Sequence, residues 1–221
     1  MDDAHPILWV ETKNDGHAIT QLLVLFEIVL DKKAGPVRWE DKDGFQNLLD
    51  SIAVQPKEDS TRPIGFVMDT DVGVAARWAQ VRAKLLQVCE SVPDTCPASG
   101  FVGVTKHPVR RIGVWLLPDC LSSGEEMEHL LWRMVPTTDL LRSIAESSTK
   151  TAAAAHCRFK AEDEMKAIVH CWLAWQETPG ESFGHAIRKN CFAHDVPAAK
   201  AFVAWFRDLY KEVLPVAPVG A

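Results

Sequence analysis

Three acidic positions stand where an apolar run stops: ILWV ends on Glu11, IGFVM ends on Asp69-Thr70-Asp71, and IGVWLL closes at Pro118-Asp119. Side chains alternate along an extended strand, so Asp69 and Asp71 point to one side and Thr70 to the other. Two carboxylates aimed at one point suit a hard divalent cation. Mg²⁺ takes octahedral oxygen ligands and keeps several waters, so one or two protein carboxylates plus substrate phosphate oxygens complete its shell. Without a cation, such carboxylates repel and at least one pKa rises. Wet strand ends also tolerate acids that do nothing. The joint presence of Glu11 and a DxD at two separate strand ends is what singles out Glu11, Asp69 and Asp71 as a Mg²⁺ or Mn²⁺ centre.

The elements that must hold these acids follow the same runs. Ile7 to Val10 reads as a strand, and an amphipathic stretch from about Gly16 to Leu30 reads as a helix. Gly35-Pro36 breaks the chain, Val37-Arg38-Trp39 offers a second short strand, and Phe45 to Val54 carries helical spacing. Ile64 to Met68 is continuous and apolar, as in a strand buried on both faces, and a helix from about Val74 to Val88 follows. Phe101-Val102-Gly103-Val104 and the better run Ile112 to Leu117 complete the strand signals. Beyond them Glu125 to Met134, Asp139 to Ala155, Ala161 to Trp175 and Pro197 to Val213 are all helical in period. Alternating strands and helices predict an α/β fold, a Rossmann-like parallel sheet of about four strands flanked by helices. The expected division is an α/β domain over 1–122 and a helical extension packed on it over 123–221. In such sheets ligands sit beyond the carboxyl ends of the strands, where these acids lie.

Composition narrows the function classes. A net charge of −6 argues against gripping nucleic acid by general electrostatics, which takes a concentrated surplus of Lys and Arg. The small basic groups at Lys106-His107 with Arg110-Arg111, at Arg77, Arg82 and Lys84, and at Arg188-Lys189 each read as a solvated face. No segment approaches the roughly 20 apolar residues of a membrane span, so no membrane partner is expected. The start MDDAHPILWVE lacks the features of a secretory signal, which places the protein in the cytoplasm. Cys89, Cys96, Cys120, Cys157, Cys171 and Cys191 show neither a CxxC nor a Cys/His cluster and read as reduced, partly buried thiols.

The strand ends ILWVETKND and IGFVMDTD resemble the Toprim domain of topoisomerases, DnaG-type primases and OLD-type nucleases: an apolar strand ending in Glu, then a distant one ending in DxD. DTDVGVAARW, IGVWLLPDCLSSGEEMEHLL and KAIVHCWLAWQETPGESFGHAI resemble a narrower group of small bacterial Toprim-related proteins, from about Ile7 to Phe206. The resemblance implies that Glu11 is a metal ligand or general base and that Asp69 and Asp71 hold Mg²⁺. Asp15 matches the acid that follows the glutamate, and capping the next helix is an equal alternative. Thr12 departs from the pattern, which places Gly there. By the same likeness Asp119 and one of Glu125, Glu126 and Glu128, best Glu128, form a second metal position. Acids in a helix's first turn are also favoured by its dipole alone. Lys166 would stabilise charge developing on a phosphate. His170 beside Trp172 reads as a packing residue, and Trp172, Trp175 and Trp205 as core or interface.

The function implied is Mg²⁺-dependent phosphodiester hydrolysis of DNA or RNA, with an ATPase partner in anti-phage defence. Two alternatives stand beside it. One is a Toprim-fold interaction or sensor module without chemistry, favoured by Thr12 and the acidic charge. The other takes DTDVGV as the aspartyl loop of a haloacid-dehalogenase-like phosphatase, although two strand-helix units precede that loop here. DNA against RNA, and a homo-oligomer against a monomer, are left open.

Overall fold

A computed structural model describes residues 5–31, 35–57, 61–122 and 126–215. Its centre is a sheet of five strands: β1 (Ile7–Val10), β2 (Arg38–Asp41), β3 (Ile64–Met68), β4 (Phe101–Val104) and β5 (Arg111–Leu116), in the order β2-β1-β3-β5-β4. β1, β2, β3 and β5 are mutually parallel, whereas β4 runs antiparallel at one edge. The sheet thus has one strand more than the four expected, because the short run at Phe101 pairs as fully as the longer ones. The architecture is α/β and Rossmann-like. β3 is buried along its whole length, as its uninterrupted apolar sequence requires when helices cover both faces.

Four helices alternate with or close over the strands: α1 (Lys13–Val24), α2 (Phe45–Val54), α3 (Val74–Leu85) and, at the far end of the chain, α8 (Pro197–Leu209). Between β5 and α8 lie α4 (Met127–Met134), α5 (Leu140–Ala154), α6 (Glu164–Leu173) and α7 (Phe183–Arg188). Strand alternation decides which face each helix meets. Leu8, Gly65 and Gly113 share one face in register, and Leu209 of α8 lies directly over both glycines. A Cβ on Gly65 or Gly113 would fall 2.9 or 2.7 Å from a Leu209 methyl, so the bare backbone there lets α8 approach the sheet. On the other face Trp78 of α3 packs on Phe101 of β4.

The helices beyond residue 122 share one core with the sheet rather than forming a second centre. Trp205 stacks obliquely on Trp115 and donates its indole N–H to the Phe101 carbonyl at 3.0 Å. The Tyr210 hydroxyl, fully buried, donates to the Ile7 carbonyl at 2.6 Å. Trp172 is likewise core, while Trp175 is 40% exposed. All six cysteines are free thiols.

Candidate acidic active site

β1 leads to β2 on one side and is flanked by β3 on the other, so the chain reverses its direction of winding between β1 and β3. Crevices open at such points, beyond the carboxyl ends of the strands. The register Val10↔Val67 brings Glu11 level with Met68, one residue from Asp69. Two acids from distant parts of the sequence are thereby set side by side at the switch point of the sheet.

Both carboxylates are partly enclosed. Glu11 Oε2 and Asp69 Oδ1 are occluded from solvent and have no hydrogen-bond partner. Burial first, then the charges of Asp71 and Asp15, raise the Glu11 pKa to about 7 against an opposing hydrogen bond from the Asp69 backbone. Asp69 is held well above the ordinary carboxylate range, first by burial and then by the charges of Asp15 and Glu11. Bringing carboxylates together out of water favours their neutral forms unless a cation joins them.

Thr12 and Asp15 build the wall next to Glu11. Thr12 is the N-cap of α1; its backbone N–H and hydroxyl both donate to Asp15 Oδ2, at 2.9 and 2.8 Å, and its hydroxyl accepts from the Asp15 N–H. This is a capping box, and it needs a hydroxyl where the resembling pattern has Gly. Asp15 is also buried against the crevice, with a pKa raised by that burial in spite of Thr12. It therefore caps the helix and faces the site at once.

Asp71 follows the strand end into a turn. Thr70 points away from the crevice, as alternation requires, and its hydroxyl donates to the Leu117 carbonyl at 3.0 Å. Asp71, half exposed, accepts from Arg77 Nη2 at 2.9 Å. Arg77 is not the solvated residue that its sequence context predicts: it is 3% exposed, and its guanidinium carbon lies 3.4 Å from the centre of the Phe45 ring. Its charge also favours ionised Glu11. The pairing runs from the turn after β3 to the first turns of α3, a spacing of six residues that helical periodicity alone does not flag.

A cavity of about 580 Å³ opens from Asp69 and Asp15 toward α4, α6 and α7. Glu126 and Glu128 stand on one wall with pKa values raised by burial, and Lys166 Nζ lies 3.7 Å from Glu128 Oε1. Lys166 and Glu128 are thus brought to the same pocket as Asp69. His170 lines the pocket as well, stacked on Phe183 at a centroid distance of 5.1 Å and 30° between planes. It packs on that ring, as its position beside Trp172 suggests, while remaining exposed. Phe183 and Arg188 also line the cavity; the sequence gives Phe183 no site role and reads Arg188 as part of a solvated basic face.

Asp119 goes elsewhere. Its carboxylate accepts from the Leu121 and Ser122 amides at 3.0 and 2.8 Å and from Arg133 Nη1 at 2.6 Å. Partial burial works to raise its pKa, but these donors hold it below the usual range. It closes the loop after β5 instead of joining the pocket. Glu125 lies outside the described residues.

Hard carboxylate oxygens, two of them buried and unpartnered, match the donor chemistry that Mg²⁺ or Mn²⁺ needs. Among the described residues, no group of three or more His, Cys, Asp or Glu side chains is gathered into a ready-made ligand cage. Waters and substrate oxygens would therefore supply most of an ion's shell. No helix among the described residues is long and apolar enough to cross a membrane.

Fold and crevice together define an α/β protein with an acidic site at the switch point of a mostly parallel sheet. Residues 5–211 match the family described as protein of unknown function DUF3226, and the chain belongs to that family. Neither the curated proteins nor the solved structures gave a match.

Proposed function

We propose that this protein is a Toprim-type, Mg²⁺- or Mn²⁺-dependent phosphodiesterase acting on DNA or RNA in the cytoplasm, beside an ATPase partner in anti-phage defence. The observation that carries this reading is the pair of occluded, unpartnered oxygens, Glu11 Oε2 and Asp69 Oδ1, on adjacent strand ends. A buried acceptor with nothing to accept from is costly, and a bound cation offsets that cost. Asp69 and Asp71 would hold the ion, with Glu11 as a further ligand or as the proton acceptor. When bound, the ion polarises the scissile phosphate and acidifies water.

The side chains supply the rest. Glu11, whose proton leaves near neutral pH, suits the removal of a proton from the attacking water. The water oxygen bonds to phosphorus, the bond from phosphorus to the leaving oxygen breaks, and that oxygen keeps the electron pair and takes up a proton. Lys166, which lines the pocket of Asp69 and pairs with Glu128, sets a positive charge against the phosphate oxygens as negative charge builds on them.

Calorimetric titration with Mg²⁺ and Mn²⁺, run with cleavage assays on DNA and RNA, tests this assignment. Asp69→Asn is expected to abolish ion binding, and Glu11→Gln and Asp69→Asn to lower cleavage by 10²-fold or more, roughly the scale of a lost acid-base group. Undiminished cleavage by both variants ends it.

A second reading, a Toprim-fold interaction or sensor module without chemistry, is favoured by one feature: Asp71 is already neutralised by Arg77. Ion binding by the parent protein with no cleavage of any phosphodiester, with or without an ATPase, would support that reading.

A further inference from the structure

The pocket that holds Asp69 combines three kinds of side chain. It is lined by the acids Asp15, Asp69, Glu126 and Glu128, by the cations Lys166, paired with Glu128 at 3.7 Å, and Arg188, and by the His170–Phe183 ring pair. Resting on the phosphodiesterase reading, we infer that this pocket takes one unpaired nucleotide at the end of a strand. The phosphate lies at Lys166 and Arg188, and the base lies against the His170–Phe183 pair.

Size and charge both point that way. About 580 Å³ falls within the roughly 300–1,000 Å³ of sites that enclose a single small ligand, and it leaves no room for a paired duplex. Two cationic side chains line the pocket, Arg188 and the Glu128-paired Lys166, enough for one or two phosphates, and a chain of net charge −6 does not offer the basic track that a long strand requires. A ring pair set in the pocket wall is the surface on which an unstacked base gains most, and stacking tolerates any base sequence. A sequence-indifferent grip on a terminal nucleotide is the result. In hydrolysis the terminal phosphodiester then lies next to Asp69, and a mononucleotide departs with each water added.

The test uses the full chain with single-stranded DNA and RNA oligonucleotides, linear and circularised, in Mg²⁺ and Mn²⁺ for cleavage and in Ca²⁺ for binding by fluorescence anisotropy. Linear strands are expected to shorten from an end, releasing mononucleotides, while circles of the same sequence stay intact. In binding, linear strands should exceed circles by about tenfold, with the shallow salt dependence of roughly two phosphates. His170→Ala and Phe183→Leu should each weaken binding by about tenfold, the scale of one stacked base, without changing Mg²⁺ affinity. The exposed His170 keeps the test sound should Phe183→Leu disturb folding. Circles cut or bound as well as linear strands overturn the inference and leave the phosphodiesterase reading standing. Stacking-dependent binding of linear ends with no cleavage does the reverse. Binding that neither substitution weakens overturns the inference in either case.

Discussion

Arg77 donates to Asp71 Oδ2 at 2.9 Å while its guanidinium carbon lies 3.4 Å from the centre of the Phe45 ring, so one buried cation ties the DxD turn to α2 and α3 together. Asp71 stays half in water, so removing Arg77 strands no fully buried anion. The loss is mainly packing, the cation–π contact and a partly exposed pair. Arg77→Met is expected to lower stability by about 1–3 kcal/mol in urea denaturation. It should also move the Glu11 titration upward, because Arg77 favours the ionised form. An unmoved Glu11 titration, followed by carboxyl carbon NMR, would contradict the electrostatic half of this account.

Glu11 makes stability depend on pH. Its folded pKa, about 7, exceeds the ordinary 4.5, so the folded chain binds more protons than the unfolded chain between those values. The contribution is complete below the unfolded pKa and is lost as pH rises through about 7. With ions chelated, Glu11→Gln should equal the parent near pH 4 and exceed it near pH 8 by about 1–3 kcal/mol. Unfolding midpoints at the two pH values decide it: a variant no more stable than the parent at the higher pH refutes the strained carboxylate.

Adding Mg²⁺ should reverse this effect in the parent alone, because an ion replaces the protons. Release of about one proton per ion bound near pH 7 is expected, seen as a buffer-dependent binding enthalpy. A binding enthalpy that is the same in buffers of different ionisation heat would speak against direct ligation by Glu11.

Asp119 and Asp69 end parallel neighbouring strands yet have different work. Asp119→Asn loses part of its loop bonding to Arg133 and is expected to cost about 1–3 kcal/mol while leaving ion affinity unchanged. Asp69→Asn should remove ion binding and stabilise the ion-free chain. Calorimetry on the pair separates them; equal loss of ion affinity in both would return Asp119 to the site.

Gly113 is predicted to be intolerant of the smallest addition. A Cβ there would sit 2.7 Å from Leu209, inside a packed layer, so Gly113→Ala should cost about 1–3 kcal/mol. The measurement is a thermal or urea midpoint, and Leu209→Ala in the same chain should recover part of the loss.

The sheet was legible because its strands carry the pattern of their environment. β3 and β4 fall where their apolar runs do, and α2 has the bounds its spacing predicts. α1 ends at Val24 instead of continuing to Leu30, since amphipathic spacing does not mark where the chain turns. Glu11 and Asp69 could be placed at strand ends because an acid ending an apolar strand is a local signal, and the parallel register sets those two ends side by side. Asp119 shows the limit of that signal: the same local pattern is answered by an arginine 14 residues later. The pocket wall was harder still. α7 is six residues long, too short for a helical period to stand out, and nothing local tells His170 that Phe183 will meet it. Such contacts are set by how α6 and α7 pack.

Tyr210 donating to the Ile7 carbonyl has a consequence for the order of events in the cell. A chain still on the ribosome has the Glu11 strand and the DxD strand long before it has the helix that covers them. The sheet can therefore complete its packing only after residue 210 has emerged, and until then the face formed by Leu8, Gly65 and Gly113 lies bare.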